Sequence, residues 1–289
     1  MDSDLTQNVL ILQWLQGTIP NMTLSPRSTP IKTQKPTAKR ATPKVAAAKM
    51  AAALAAQVPP SAEAKIALGW LHTAKFLTTA PELKHLPLLD VPEVAFVGRS
   101  NAGKSTCINT LTQINRLAFA SKTPGRTQSI NLFSLGKQGV TDAVLADLPG
   151  YGYAAVPKAA KYRWQQVMGN YLQTRDNLKG VVLLCDPRLG LTELDEILLD
   201  VIRPRVEEGL KFLVLLTKSD KLNKTEAAKA LSIVRLQAGG GDVKLFSALK
   251  RQGVEEVAQH LWQWAHPPVK AEKSGQAAAT PPAEDASEP

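Results

Sequence analysis

Residues 98–105 read GRSNAGKS and follow the apolar run EVAFV. The pattern G-x-x-x-x-G-K-[ST] is met by Gly98, Gly103, Lys104 and Ser105, ahead of KSTCINTLTQ, which has helical length and character. This feature constrains the fold most, because such a loop works only where a buried strand ends and a helix begins. Backbone N–H groups across Gly98, Arg99, Ser100, Asn101, Ala102 and Gly103 then converge on anionic oxygens at the positive end of a helix. Lys104 is expected to reach the β and γ phosphates, and the Ser105 hydroxyl to bind Mg²⁺. The alternative is a glycine turn carrying a surface lysine, so the rest of the chain must decide.

From about residue 65 to 267 the pattern alternates strand and helix. Strands are expected near 93–98, 129–135, 143–147, 180–185, 211–216 and 243–246, with helices near 104–114, 158–175, 192–203, 224–237 and 252–264. Several strands are apolar throughout, as they are when helices cover both faces of a mostly parallel sheet. The link GKQGVTD is short and contains glycine, which predicts an antiparallel hairpin between the strands at 129–135 and 143–147. The fold class is therefore α/β, a central mostly parallel sheet flanked by helices.

The flanks have a different composition. Residues 5–62 hold seven Lys or Arg and no acid, and residues 1–64 are rich in Ala, Lys, Pro and Thr. Such a segment buries too little apolar surface to offset its ordering entropy, so disorder is expected there, with a transient Ala-rich helix around 44–57. Residues 268–289 read the same way. The N-terminal composition also suits an organellar transit peptide, so the chain is either a bacterial cytoplasmic protein or an organellar one. Met22 is an alternative start.

Net charge is +10, and residues 64–266 alone carry 26 basic against 18 acidic residues. That balance draws the chain toward polyanions such as nucleic acid, the alternative being simply a soluble surface with a positive bias. No apolar run approaches the roughly 18 to 20 residues of a spanning helix, so no membrane partner is expected. Cys107 and Cys185 lack neighbours at metal-ligand spacing and read as buried thiols.

Three further motifs fall at strand ends. Asp147, Leu148, Pro149 and Gly150 form DLPG at the tip of the strand 143–147. There a carboxylate can hold Mg²⁺ through water, and the Gly150 amide can approach a γ-phosphate. Thr217, Lys218, Ser219 and Asp220 follow the strand KFLVLL. Asp220 can accept from the N1–H and exocyclic amine of guanine, an edge adenine lacks, while the Lys218 stem lies across the base. Leaving such groups unpaired with the wrong base can cost a factor of roughly 10⁴. Phe246, Ser247 and Ala248 follow the last strand, where a backbone N–H can meet the guanine O6. All these stretches fall where open α/β sheets bind ligands.

The strings SKTPGRTQSINLF, ADLPGYGYAAVP, LKGVVLLCDPRLGLTELD, LTKSDKL and SALKRQGVEEV closely resemble the EngB (YihA/YsxC) family of ribosome-biogenesis GTP-binding proteins, over about residues 70–266. The resemblance implies a P-loop NTPase with a Ras-like G domain, binding of GTP or GDP with Mg²⁺, and work on the large ribosomal subunit precursor and its rRNA. It also implies that Thr127 is a switch residue ligating Mg²⁺, with Gly125, Arg126, Thr127, Gln128 and Ser129 along the nucleotide. The family's usual His-Pro is absent from PRLGL at 187–191.

Tyr151 stands where Ras-like enzymes use a glutamine to orient water, so slow intrinsic hydrolysis is expected. Lys104, Thr127 and Asn101 are the residues expected to act on the transferring phosphate. Asn101 either helps hold K⁺ there, as a loop asparagine does in related GTPases, or simply suits a tight turn. A monomer is expected. The rival readings are an ATP-dependent P-loop kinase, disfavoured by TKSD, and a nucleotide-independent RNA-binding adaptor.

Overall fold

The computed structural model describes residues 61–119, 129–152 and 158–267. The tails lie outside the described residues, as do Gly125, Arg126, Thr127 and Gln128. In chain order the elements are α1 (Ala62–Leu71), β1 (Lys75–Ala80), β2 (Glu93–Gly98), α2 (Lys104–Thr112), β3 (Ile130–Leu135), β4 (Ala143–Asp147), α3 (Lys158–Thr174), β5 (Leu178–Cys185), α4 (Glu193–Glu207), β6 (Lys211–Leu216), α5 (Lys224–Ala238), β7 (Asp242–Leu245) and α6 (Val254–Ala265).

One seven-stranded sheet runs in the order β1-β3-β4-β2-β5-β6-β7. The strands β4, β2, β5, β6 and β7 are mutually parallel. The hairpin β3–β4 is antiparallel, as its short glycine-containing link predicts, and β1 adds antiparallel to β3 at the edge. This is the mostly parallel α/β sheet that the sequence pattern implies.

Alternation along each strand divides the core into two layers. Val94 and Phe96 of β2 pack with Leu111 of α2, Trp70 of α1 and Leu261 of α6. Ala95 and Val97, one residue out of phase, face Tyr171 of α3, Leu198 of α4 and Val234 of α5. Every residue of β2 is buried, because helices cover both faces of the sheet at its centre. In α6 the buried positions 254, 257, 258, 261 and 265 make one apolar stripe.

Two elements were not legible in the sequence pattern. Helix α1 begins at Ala62, three residues inside the stretch that composition assigns to the N-terminal extension. Ser61 caps it by accepting from the Ala64 N–H at 3.1 Å, and its small buried residues Ala64 and Ala67 bring Trp70 and Leu71 against the core. Strand β1 is mostly exposed, so it lacks the apolar signal of the central strands. Helix α4 also runs a turn past the expected end, through Pro204. No described helix is long and apolar enough to cross a membrane.

Candidate functional site

The parallel strands point their carboxyl ends one way, so the segments after β2, β4, β5, β6 and β7 meet along one edge of the sheet. Strand β3 runs against β4, pairing Asn131 with Asp147. Its amino end therefore enters from the same edge, and Ser129, the described end of the sequence's switch segment, leads into it there.

Gly98 ends β2 at φ +146°, and a Cβ there would lie 2.4 Å from the Leu184 carbonyl oxygen, so glycine lets the loop leave the sheet. The loop is then tied to its surroundings. Ser100 N donates to the Tyr151 carbonyl at 2.8 Å, and Ala102 N to the Arg99 carbonyl at 3.0 Å. Asn101 adopts φ +65° with an exposed side chain, the tight-turn conformation that asparagine tolerates.

Lys104 opens α2 with its side chain buried, and its ammonium donates to the Gly98 carbonyl at 3.1 Å. Burial pulls its pKa down, and the Asp147 charge opposes that pull. Ser105 Oγ donates to Asp147 Oδ2 at 3.2 Å. Asp147 is itself 1% exposed, and its other oxygen, Oδ1, meets no hydrogen-bond donor among the described residues. Burial raises this carboxyl to about 6, against Lys104 and the Ser105 hydrogen bond. A buried carboxylate oxygen without a donor is costly unless a cation or bound water meets it. The pair Ser105 and Asp147 thus suits a hydrated Mg²⁺, whose hard character favours oxygen ligands. Gly150 comes so close to the loop that a Cβ would sit 3.0 Å from both Ser100 Cα and Lys104 Nζ.

The base-side loops are joined as tightly. Thr217 is buried, and its hydroxyl lies 2.7 Å from the Ala102 carbonyl and 3.0 Å from that of Cys185, stitching the phosphate loop to β5 and β6. Lys218 sits at φ +54° and extends its ammonium to the Asn101 carbonyl at 2.9 Å and Asp186 Oδ2 at 3.3 Å. Its aliphatic stem therefore spans the gap between loops.

Asp220 Oδ1 accepts from the Ser247 hydroxyl at 2.6 Å, a contact that orients the carboxylate and lowers its pKa. Of the amides of Phe246, Ser247 and Ala248, one of which is expected to meet guanine O6, two are already used. Phe246 N donates to the Leu216 carbonyl and Ser247 N to that of Gln252. No described residue accepts from Ala248 N, which leaves it as the available donor.

Several contributors escaped sequence reasoning. Asp186 accepts from Arg188 through Nε at 2.8 Å and from Lys218, and these contacts, Arg188 first, hold its carboxyl down at about 2. Gln252 accepts from Ser219 Oγ at 3.1 Å and closes the 247–252 turn. Tyr151 turns away from the phosphate loop into the core and donates to Asp195. The T-x-x-D pattern at 192–195 marks Asp195 as a helix-capping residue, but nothing local announces its second partner. Among the described residues no cluster of His, Cys, Asp and Glu forms a protein-only metal cage.

Comparison with known proteins agrees with this geometry. The family model described as "50S ribosome-binding GTPase" matches residues 93–218. A protein of a Polaromonas species, described as a probable GTP-binding protein EngB, is 91% identical over 220 residues, which are 76% of this chain and 89% of the relative. An Albidiferax ferrireducens protein of the same description is 80% identical over 202 residues, 70% of this chain and 98% of the relative. The crystal structure of an Aquifex aeolicus Era variant bound to GDP and AlF₄⁻ superposes with TM-score 0.51 at 20% identity, covering 61% of this chain and 57% of the other, a likeness of fold. High identity across nearly the whole of these relatives, together with a phosphate loop and strand-end motifs assembled on one sheet edge, means that this chain belongs to the EngB family of GTP-binding proteins.

Proposed function

We propose that the protein is a GTP-operated switch in assembly of the large ribosomal subunit, binding Mg²⁺ with GTP or GDP at the carboxyl edge of its sheet. The observation that carries the nucleotide site is the Oδ1 of buried Asp147, which no described residue donates to, the other oxygen lying 3.2 Å from Ser105 and beside the buried Lys104. In this reading the phosphates are held by the Lys104 ammonium and by loop amides other than those of Ser100 and Ala102, which the Tyr151 and Arg99 carbonyls already engage. Ser105 and, through water, Asp147 would hold Mg²⁺, and Thr127, assigned by the family resemblance, would complete its ligands. Bound there, Mg²⁺ neutralises charge on the β and γ phosphates. Gly150 offers its N–H to the γ-phosphate. Lys218 covers the base, Asp220 accepts from its N1–H and amine, and Ala248 N donates to its O6.

Tyr151, which stands where Ras-like enzymes carry the water-orienting glutamine, is turned into the core and bound to Asp195, which supports slow intrinsic turnover. K⁺ held beside Asn101 is proposed to supply the missing charge. Exchanging Na⁺ for K⁺ then raises turnover in the wild type and not in Asn101→Ala, and equal rates in both salts refute it.

The ribosomal reading rests on the description of the matched family and on the net charge of +10, which suits phosphate contacts with rRNA. The site is tested with fluorescent GDP and Asp220→Asn, whose preference should move from guanine to xanthine. The partner is tested by co-sedimentation with large-subunit particles. Binding should depend on GTP and weaken steeply with salt; nucleotide-independent binding would favour the adaptor reading instead.

A further inference from the structure

The residue after DLPG is fixed from two sides. The Tyr151 carbonyl accepts from Ser100 N in the phosphate loop at 2.8 Å, and its strand-like bridge to Arg99 extends that join. Its hydroxyl donates to Asp195 Oδ1 at 2.5 Å, with Tyr151 only 7% and Asp195 0% exposed. The other oxygen of Asp195 accepts from Thr192 N at 2.8 Å and Thr192 Oγ1 at 2.7 Å, closing the first turn of α4. One buried carboxylate therefore caps α4 and holds the end of the DLPG segment. Next along the chain, a Cβ on Gly152 would lie 3.5 Å from Leu194 Cδ1, so the segment runs against α4 beyond Tyr151 as well.

We infer that Tyr151 and Asp195 are a positioning pair that sets the Gly150 peptide for the γ-phosphate and passes the nucleotide state to the amino end of α4. The inference rests on the proposed contact between Gly150 and the γ-phosphate. Tyr151 touches no phosphate in this scheme; it acts through the peptide bond it shares with Gly150. A buried hydroxyl and a buried carboxylate oxygen each need the other, so residue 151 cannot shift without disturbing the cap of α4. Burial and the Asp195 charge hold the phenol far above its ordinary pKa, so the hydroxyl stays protonated and donating. Coupling of this kind is reciprocal: whatever favours one arrangement of Gly150 favours the matching arrangement of α4's first turn, and a partner gripping that turn would alter affinity for GTP. The preceding loop offers such a grip, since Arg188 and Leu189 are exposed, Leu189 at 64%.

The test compares GDP with a non-hydrolysable GTP analogue on the full chain. In Tyr151→Phe, affinity for the analogue should fall about tenfold while affinity for GDP stays within about twofold, in the range of measured couplings between sites. Thr192→Val, which loosens the Asp195 carboxylate and the first turn of α4 without touching Tyr151, should lower the unfolding temperature and move the ratio of the two affinities in the same direction by a smaller factor, as reciprocal coupling requires. Equal loss of both nucleotides in Tyr151→Phe, or a ratio unmoved in Thr192→Val, would reduce the pair to a structural brace. As a measurement without substitution, amide exchange in the wild type should differ between the two nucleotides at residues 192–196; identical protection overturns the inference. Failure of the wild type to bind the analogue at all would instead refute the proposed γ-phosphate site.

Discussion

Replacing Thr217 by valine removes one hydroxyl from the seam between the phosphate loop and the sheet. The side chain is 3% exposed, and its oxygen lies 2.7 Å from the Ala102 carbonyl and 3.0 Å from the Cys185 carbonyl. In the variant Cys185 O keeps the Thr217 backbone N–H at 2.9 Å, so Ala102 O is the group left without its partner. A buried acceptor so stranded costs about 1–3 kcal/mol, and the added methyl offsets up to about 0.8 kcal/mol of that. With the full offset the net loss is about 0.2–2.2 kcal/mol, up to about 9 °C of unfolding temperature for a domain of roughly 150 to 250 residues. Because Ala102 belongs to the loop proposed to hold the phosphates, part of the loss should appear as weaker GDP binding, up to about tenfold for 1.4 kcal/mol. Thermal unfolding with and without GDP, alongside a fluorescent GDP titration, measures both components. Thr217→Ser retains the hydroxyl and should stay close to wild type. A valine variant that unfolds and binds like wild type would refute the seam.

Asp147 makes stability depend on pH in an unusual direction. Its folded pKa of about 6 lies above the ordinary 3.8, so the folded state holds the extra proton between those values. Stability of protein free of metal and nucleotide should therefore fall as pH rises from about 4 to about 6, and Asp147→Asn should flatten that slope in unfolding scans. An unchanged slope would show that another group carries it. Gly180→Ala places a Cβ 2.2 Å from Trp264 Cε3 of α6, so overpacking should cost about 1–3 kcal/mol, visible in urea unfolding, with GDP affinity intact. Loss of GDP binding at unchanged stability would contradict it. Asp186→Asn frees Lys218 and Arg188 from their shared carboxylate. Both cations are partly exposed, so GDP affinity should drop by no more than about fivefold, corresponding to about 1 kcal/mol, and less at high salt. A loss that persists in high salt would mean that the carboxylate does more than hold Lys218.

What the sequence determined by itself was local. The glycines and lysine of residues 98–105, the fully apolar central strands and the short β3–β4 link each specify their geometry through neighbours within a few residues, and each appears in the structure as its pattern implies. Strands buried on both faces demand unbroken apolar runs, so their order along the chain could be read and the loops at their ends located. Elements whose burial comes from elsewhere gave weaker signals: α1 packs through alanines that resemble a polar tail, and β1 is a half-exposed edge. The joints between loops were decided only by tertiary structure, because their partners are distant in sequence. Thr217 reaches Ala102 across 115 positions, Lys218 reaches Asn101 across 117, and Tyr151 finds Asp195 across 44. A hydroxyl or carboxylate looks the same in sequence whether it faces solvent or a buried partner. Here the choice is made by the parallel order β4-β2-β5-β6-β7, which brings the strands' carboxyl ends together and so sets which loops touch.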